Sequence, residues 1–344
     1  MCRHICPIGN ATGHERNTAR ARALALSLVE RGAAPLSDCI DNIYECALCG
    51  ACTKECATGW DPVVFTKEVR REAALNGETP EYITKLIERY SETGNIYSKT
   101  EYCSCIDESA KGLPEKSDTL LYIGTEARYM APKFACDAIK ALRKAGVDFT
   151  VLSGADEPDS GLALDTLVGA VEETKEAMTK TAAVLGKYAR VIVANPNDAK
   201  LFIREYKEWG IELSCKIETL TSALASLVKS GKLEAKKSGM NVTYQDPAML
   251  ARELKETEEA REYISAFADI TEMLLNRKDT MLGGSLIMNE YIPDVMKLVA
   301  KDRIVNATDM GVNVIVTATP DEYRLMSENA PEGVKVLSIA ELAL

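Results

Sequence analysis

No apolar run in these 344 residues approaches the roughly 20 needed to cross a bilayer. The first residues, Cys2-Arg3-His4-Ile5-Cys6-Pro7, stand where a secretory leader would carry its apolar stretch. A cytoplasmic location is therefore expected. No basic block interrupts the charge pattern either. The 52 acidic and 41 basic side chains are spread along the chain for a net charge of -11, which argues against nucleic-acid binding. No G-x-G-x-x-G follows a predicted strand and no Walker loop is present, so the chain has no dinucleotide or nucleoside-triphosphate cradle of its own. Disorder is excluded by the 46% hydrophobic content beside 27% charged residues, and the length suffices for two or three domains with substantial cores.

Cysteine, in contrast, is concentrated. Eleven are present, an odd number. Seven precede residue 57: Cys2, Cys6, Cys39, Cys46, Cys49, Cys52 and Cys56. Such crowding reads as metal ligation in a reducing compartment before it reads as disulfides. The stretch Cys46-Ala47-Leu48-Cys49-Gly50-Ala51-Cys52-Thr53-Lys54-Glu55-Cys56 has the spacing C-x2-C-x2-C-x3-C, which suits a chain wrapped round one [4Fe-4S] cubane with its fourth cysteine turned to a second site. Gly50 and the small Ala47 and Ala51 let the backbone fold tightly. A four-cysteine zinc site ordinarily uses two separated C-x2-C pairs, so the spacing favours a cluster over zinc.

In two-cluster ferredoxins the fourth cysteine of each motif serves the other cluster and is commonly followed by proline. Cys6-Pro7 has that form, so Cys6, Cys46, Cys49 and Cys52 assemble one complete site. A second site would take Cys56 and Cys2 and still lack ligands. Three readings stay open: an upstream start supplies them, Cys39, Cys103 and Cys105 substitute, or one cluster binds and Cys56 completes a local site. Cys136 and Cys215 lie in apolar contexts and read as packing thiols. His4 reads as a tuning or solvent-facing residue rather than a ligand.

Local signals divide the chain. A helix is predicted through Ala21–Glu30 with its stop at Gly32. Two more follow, one opening at Asp61-Pro62 and ending near Gly77, the other opening at Thr79-Pro80 and ending near Gly94, each read as a capping residue followed by proline. Residues 1–95 thus form a small helical domain around cysteine loops, and 96–118 a polar linker holding Cys103 and Cys105. From Thr119 onward, short apolar runs alternate with helix-length segments: Leu120–Ile123, Phe149–Leu152, Val191–Val193, Val242–Tyr244 and Val314–Val316. The half also repeats itself. Val191–Pro196, a helix and Lys216–Leu220 resemble Val314–Pro320, a helix and Lys335–Ile339. The expected architecture is α+β, with two related α/β units, 119–235 and 236–344, whose sheets are mostly parallel.

These features resemble the iron–sulfur electron-transfer subunits that include the glycolate oxidase iron–sulfur subunit, the anaerobic glycerol-3-phosphate dehydrogenase small subunit and the heterodisulfide reductase catalytic subunit. The likeness covers nearly the whole chain. It implies a helical dicluster-ferredoxin-like domain followed by two cysteine-rich repeats, which in heterodisulfide reductases hold noncubane clusters. The repeats here depart from that pattern. The family's Cys-Cys-Gly is Asp159-Ser160-Gly161, and its Cys-Pro-x-Cys is Asn195-Pro196-Asn197-Asp198. In the second repeat, Tyr-His-Asp-Pro-Cys-His-Leu-x-Arg becomes Tyr244-Gln245-Asp246-Pro247-Ala248-Met249-Leu250-Ala251-Arg252, Cys-Cys-Gly-Gly becomes Met281-Leu282-Gly283-Gly284, and the last Cys-Pro-x-Cys becomes Thr319-Pro320-Asp321-Glu322. Asp159, Asn195 and Thr319 are poor iron–sulfur ligands, so no noncubane cluster is expected and no residue is assigned a catalytic role.

The resemblance implies an electron relay in a multi-subunit oxidoreductase. Electrons would leave a flavoprotein dehydrogenase, of the FAD-linked 2-hydroxy-acid type, with an electron-transfer flavoprotein as a further candidate partner. The flavin would belong to that partner, and the repeats would dock it. A thiol or disulfide reductase and a zinc-stabilised interaction protein are the competing readings.

Overall fold

Helix punctuation governs the first hundred residues of the computed structural model, which describes residues 2–344. Thr18 caps the helix Ala19–Glu30 by accepting from the Ala21 N–H. Asp61 accepts from the N–H groups of Val63 and Val64 and opens the helix Pro62–Asn76, which Gly77 ends in the left-handed region at φ 69°. These contacts satisfy donors and acceptors that a helix end leaves unpaired. The next helix, Glu81–Thr93, differs from expectation: Pro80 is its cap position and no side chain caps it. The Thr79 hydroxyl pairs with that of Thr84 instead.

Two parallel sheets follow. The first has the order β1-β2-β3, with β1 at Thr119–Tyr122, β2 at Arg190–Val193 and β3 at Lys216–Thr219. The second has the order β5-β4-β6-β7, with β4 at Asn241–Gln245, β5 at Asp269–Ile270, β6 at Val314–Thr317 and β7 at Lys335–Ser338. Leu120 pairs with Val191 and Val191 with Ile217, while Thr243 pairs with Ile315 and Ile315 with Val336.

The run Phe149–Leu152 does not become a strand. Only Thr150 bridges to Leu120, on the side of β1 that corresponds to the place of β5 beside β4. The pairing stops because other groups take the next partners. The Leu152 carbonyl accepts from Arg128 at 3.1 Å, and the N–H groups of Ile123 and Gly124 donate to the Glu157 carboxylate at 3.0 Å each. Counting Thr150 as an edge, both units share one strand order. Each also follows its first strand with a wide helical turn, Glu126–Met130 and Met249–Leu254.

Strand side chains alternate between two faces. Leu120, Tyr122 and Ile315 face a core that also holds Ile8, Ile43, Tyr44 and Leu86 of the helical segment. Leu121, Ile192 and Val316 face the other, with Phe134 and Leu224. The helical segment is therefore built into the repeats through a shared core. Cys215 is buried in the first core and Cys136 in the second. Part of 96–118 is also packed rather than polar linker: Ile96, Tyr97 and Ile106 are buried. Among the described residues no helix is long and apolar enough to cross a membrane.

One seam between helices and first repeat is tight. A Cβ at Gly169 would lie 2.7 Å from the backbone carbon and oxygen of Arg70, and φ there is 77°. Gly169→Ala is expected to destabilise the fold by about 1–3 kcal/mol through combined strain and backbone clash. A denaturation midpoint unchanged from wild type would contradict this seam.

Candidate metal centre

Cys6 precedes the helix Pro7–Thr12 and caps it: the Gly9 N–H donates to its sulfur at 3.4 Å, and the thiol donates to the Asn17 carbonyl at 3.3 Å. The Cys46–Cys52 loop turns twice in the left-handed region, at Leu48 with φ 49° and at Gly50 with φ 75°, before the short helix Ala51–Lys54. Gly50 adopts that conformation without strain, whereas Leu48 does so at a cost. The turns face Cys46, Cys49 and Cys52 onto one small cavity whose far wall carries Cys6, with Ile8, Arg22 and Val63 among the other lining residues.

Burial pushes the Cys6 thiol up to about 11, eased by the Gly9 N–H and raised further by Cys49 and Cys46. Cys52 is pushed up by burial and then by Cys49, Cys46 and Cys6. Cys49 is raised chiefly by burial, against the lowering influence of Arg252. Cys6, Cys49 and Cys52 therefore resist ionisation unless a cationic centre takes their charge. The donor set fits an iron–sulfur cubane: four soft sulfurs, small residues between them, and backbone N–H groups directed at sulfur. It fits a lone zinc ion less well. Zinc needs its ligands gathered about 2.3 Å from one point, and among the described residues no three Cys, His, Asp or Glu converge closely enough to hold a single ion.

Two guanidiniums, Arg70 buried and Arg252 half-buried, brace the loop. Arg70 donates to the carbonyls of Ile43, Tyr44 and Cys46 at 2.9, 3.0 and 2.6 Å, and to Thr166 of the first repeat at 2.6 Å. Its guanidinium lies 5.2 Å from the Tyr44 ring centroid. Arg252, from the second repeat, donates to the Cys49 carbonyl at 2.6 Å and to Lys278 at 3.0 Å. The first repeat thereby holds Arg70 through the Thr166 carbonyl and the second holds the cysteine loop through Arg252, while Arg70 of the helical segment and Arg252 supply positive charge beside it.

The remaining candidate cysteines are not drawn to that cavity. Cys56 pairs with the Thr58 hydroxyl at 3.2 Å, and this contact and the Thr58 backbone lower its pKa. Cys2 lies in the helix Cys2–Ile5, which packs on Ala51–Lys54. The Cys39 thiol donates to the Leu36 carbonyl at 3.4 Å. Cys103 and Cys105 lie side by side across Ser104, with their Cα atoms 5.2 Å apart.

Some repeat positions that lack cysteines, Asn195, Asp198, Ser160 and Glu322, join neighbouring residues in a carboxylate, amide and hydroxyl network. Asn197 donates to Asp321 at 3.4 Å and Asn195 to Glu126 at 3.3 Å. Tyr97 also donates to Glu126, at 3.0 Å, and Ser160 to Asp198 at 2.6 Å. Glu322 accepts from Gln245 at 2.8 Å and from the Gly283 N–H and the Thr317 hydroxyl at 3.0 Å. Burial raises Glu126 and Asp198 well above the carboxylate range, Asp321 to about 6 and Glu322 to about 8. A cleft partly open to solvent runs from Cys46 and Cys49 to Asp321 and Glu322.

Glu322 gives a pH prediction. Its folded pKa of about 8 exceeds the ordinary 4.5, so its contribution to stability is fully present below the ordinary value and is lost as pH rises through 8. The fall approaches about 1.4 kcal/mol per pH unit inside that window. Glu322→Gln is expected to flatten the profile, with the Thr317 hydroxyl reversing to accept. Denaturant melts from about pH 5 to about pH 9 check this; parallel wild-type and variant profiles would contradict it.

Arg70, Arg252 and Glu126 were not singled out from the sequence. Arg252 closes the Tyr244–Arg252 segment and was legible there as part of a motif. Arg70 sits in Val69-Arg70-Arg71, where nothing separates a buried guanidinium from a solvated one.

Residues 1–60 match the 4Fe-4S dicluster domain family. The chain is 26% identical over 296 residues to a subunit of the dihydromethanophenazine:CoB–CoM heterodisulfide reductase of Methanosarcina acetivorans, spanning 81% of this chain and 71% of that protein. It is 25% identical over 303 residues, with the same coverage, to the like-named protein from Methanosarcina mazei. An uncharacterized iron–sulfur protein of Methanocaldococcus jannaschii is 20% identical over 332 residues, spanning 93% of this chain and 64% of that one. The N-terminal segment is thus a 4Fe-4S cluster-binding domain.

Proposed function

We propose that this chain, a member of the iron–sulfur proteins related to these heterodisulfide reductase components, is an electron-relay subunit. One [4Fe-4S] cluster is held by Cys6, Cys46, Cys49 and Cys52, and the repeats are a docking scaffold. The observation that carries this reading is the contrast between two sites. Four thiols line one recess braced by Arg70 and Arg252, whereas the thiol positions of the repeats are occupied by hydrogen-bonded Asp159, Ser160, Asn195, Asp198, Thr319 and Glu322 or by apolar Ala248, Met281 and Leu282.

A bound cubane would supply one-electron transfer there. Arg70 and Arg252 fix the carbonyls of Cys46 and Cys49 and offset negative charge, and Val63, Ile8 and Leu48 exclude water from the recess. Cys2 and Cys56 are the first candidate thiols for a second cluster, with Cys39, Cys103 and Cys105 as further candidates. The partner is a flavoprotein dehydrogenase, of the FAD-linked 2-hydroxy-acid type, with an electron-transfer flavoprotein as the other candidate. The family resemblance supports this, as do relatives named as subunits of a larger reductase.

Those relatives also favour a second reading, disulfide reduction. The carboxylate network weighs against it, because oxygen donors do not replace the thiolates of an iron–sulfur site. Anaerobic purification from the native source tests both. A co-purifying flavoprotein whose reduced flavin bleaches the iron–sulfur absorption supports the relay. Dye-driven catalytic reduction of a disulfide by the isolated chain contradicts it.

A further inference from the structure

The helix that follows β2 widens along its length. Pro196–Lys200 runs on into a turn of π spacing at Leu201–Glu205, and in such a turn residues five apart lie one above the other. Lys200 and Glu205 are thereby brought together, and Lys200 pairs with Glu205 Oε1. A second cation comes from the helical segment. Lys67, on the helix Pro62–Asn76, lies 3.9 Å from the same oxygen and donates to Asp165 at 2.5 Å, where Arg71 also donates at 2.8 Å. Glu205 is only 3% exposed. Its other oxygen, Oε2, is buried and has no hydrogen-bond partner among the described residues.

These groups stand where two hollows meet. One is the cleft that begins at Cys46 and Cys49, the other a polar groove beside Asp61 and Arg204, and Lys67, Lys200 and Glu205 line both, together with Leu48, Val63 and Met249. An ammonium has three donors, of which Lys67 spends one on Asp165 and Lys200 one on Glu205. Burial, and then the neighbouring Lys67, lower Lys200 to about 8, as befits a cation short of counter-charge. A buried charged oxygen without a partner is costlier than a neutral one, so Glu205 Oε2 has a donor to gain. The rim carries Glu68, Glu208 and Glu253, of which Arg71 and Arg204 offset two, leaving no cation there to neutralise a second charge on a ligand.

We infer that Lys67, Lys200 and Glu205 form a binding site for a small hydroxycarboxylate. Its carboxylate takes the spare donors of Lys67 and Lys200, its hydroxyl donates to Glu205 Oε2, and its short carbon chain lies against Leu48, Val63 and Met249. Each part of the ligand answers one feature of the site. A plain carboxylate leaves Glu205 Oε2 unpaired. An amino acid brings an ammonium beside two others, where like charges repel. Inorganic phosphate brings further charge and no apolar body. Binding here makes and breaks no covalent bond and uses no iron, so it stands or falls independently of the relay.

Calorimetry on the full chain, purified anaerobically with its iron, compares racemic lactate, propionate, alanine and inorganic phosphate as probes. Lactate is expected to bind about tenfold more tightly than propionate, the effect of one hydrogen bond to a charged acceptor, and alanine and phosphate more weakly than lactate. In Glu205→Gln the amide oxygen pairs with Lys200 and an N–H replaces the acceptor, so lactate and propionate should come to within about twofold of each other with propionate no weaker than before. Equal binding of lactate and propionate by the wild-type chain, phosphate binding as tight as lactate, or no lactate binding at millimolar concentration would overturn the site, whether or not the variant folds. So would a Glu205→Gln chain with native circular dichroism that keeps the full preference for lactate.

Discussion

Arg70→Met lowers stability by about 3–5 kcal/mol and releases iron from the chain, the largest effect expected of any substitution outside the cysteines. Arg70 is 1% exposed and donates to four carbonyls, three on the approach to Cys46 and one in the first repeat. Methionine matches much of its length but no donor, so buried acceptors from two segments lose their partners together. Burial lowers the Arg70 pKa to about 10 against the pull of Cys46 and Tyr44, so it remains a cation at neutral pH beside the thiolate loop. Arg70→Lys keeps the charge but not the fork geometry, and should recover part of the iron and little of the stability. Chemical denaturation and iron analysis of both variants check this, and a methionine variant with full iron and wild-type stability would contradict it.

Cys6→Ser removes the cluster while leaving the repeats folded. The residue is remote in sequence from Cys46, Cys49 and Cys52 but shares their cavity, and a serine oxygen is a hard donor where iron–sulfur chemistry requires sulfur. The second core, drawn from residues 106–343, contains none of these cysteines, so far-UV dichroism should change little. Iron and labile sulfide should fall by about one cubane, roughly four atoms of each. Cys39→Ser, whose thiol reaches only the Leu36 carbonyl, should retain both. Loss of iron in the Cys39 variant and its retention in the Cys6 variant would reverse the assignment.

What could be read in advance follows from the range of the interactions involved. Helix ends such as Asp61-Pro62 and Gly77 are local chemistry, and the structure places them there. Apolar strands at Leu120, Val191, Val242 and Val314 were legible for the same reason. The edge of the first sheet was not. Phe149–Leu152 has strand composition, but Arg128 and Glu157 take the hydrogen-bonding partners that would have extended it. Asp269–Ile270 was missed because two residues carry no period.

The metal centre shows the same division. The spacing of Cys46, Cys49 and Cys52 and the Cys6-Pro7 pair are local patterns, and the backbone turns at Leu48 and Gly50 realise them. The guanidinium braces are tertiary, and no neighbouring residue advertises them. In the repeats, the missing thiolates were visible, but only as losses. Glu126, Asp198, Asp321 and Glu322 come from distant segments, and only Asp198 and Glu322 of these stand at sulfur positions, so the carboxylate network emerges only on folding.

Iron, acid-labile sulfide and zinc measured on the anaerobically purified full chain, with EPR of the dithionite-reduced protein, test the central claim most directly. Iron and sulfide in equal amounts, about four of each per cubane, and a reduced [4Fe-4S] signal that disappears in Cys6→Ser are the predicted result. Zinc without sulfide, or a noncubane cluster signal that survives Cys6→Ser, would contradict it.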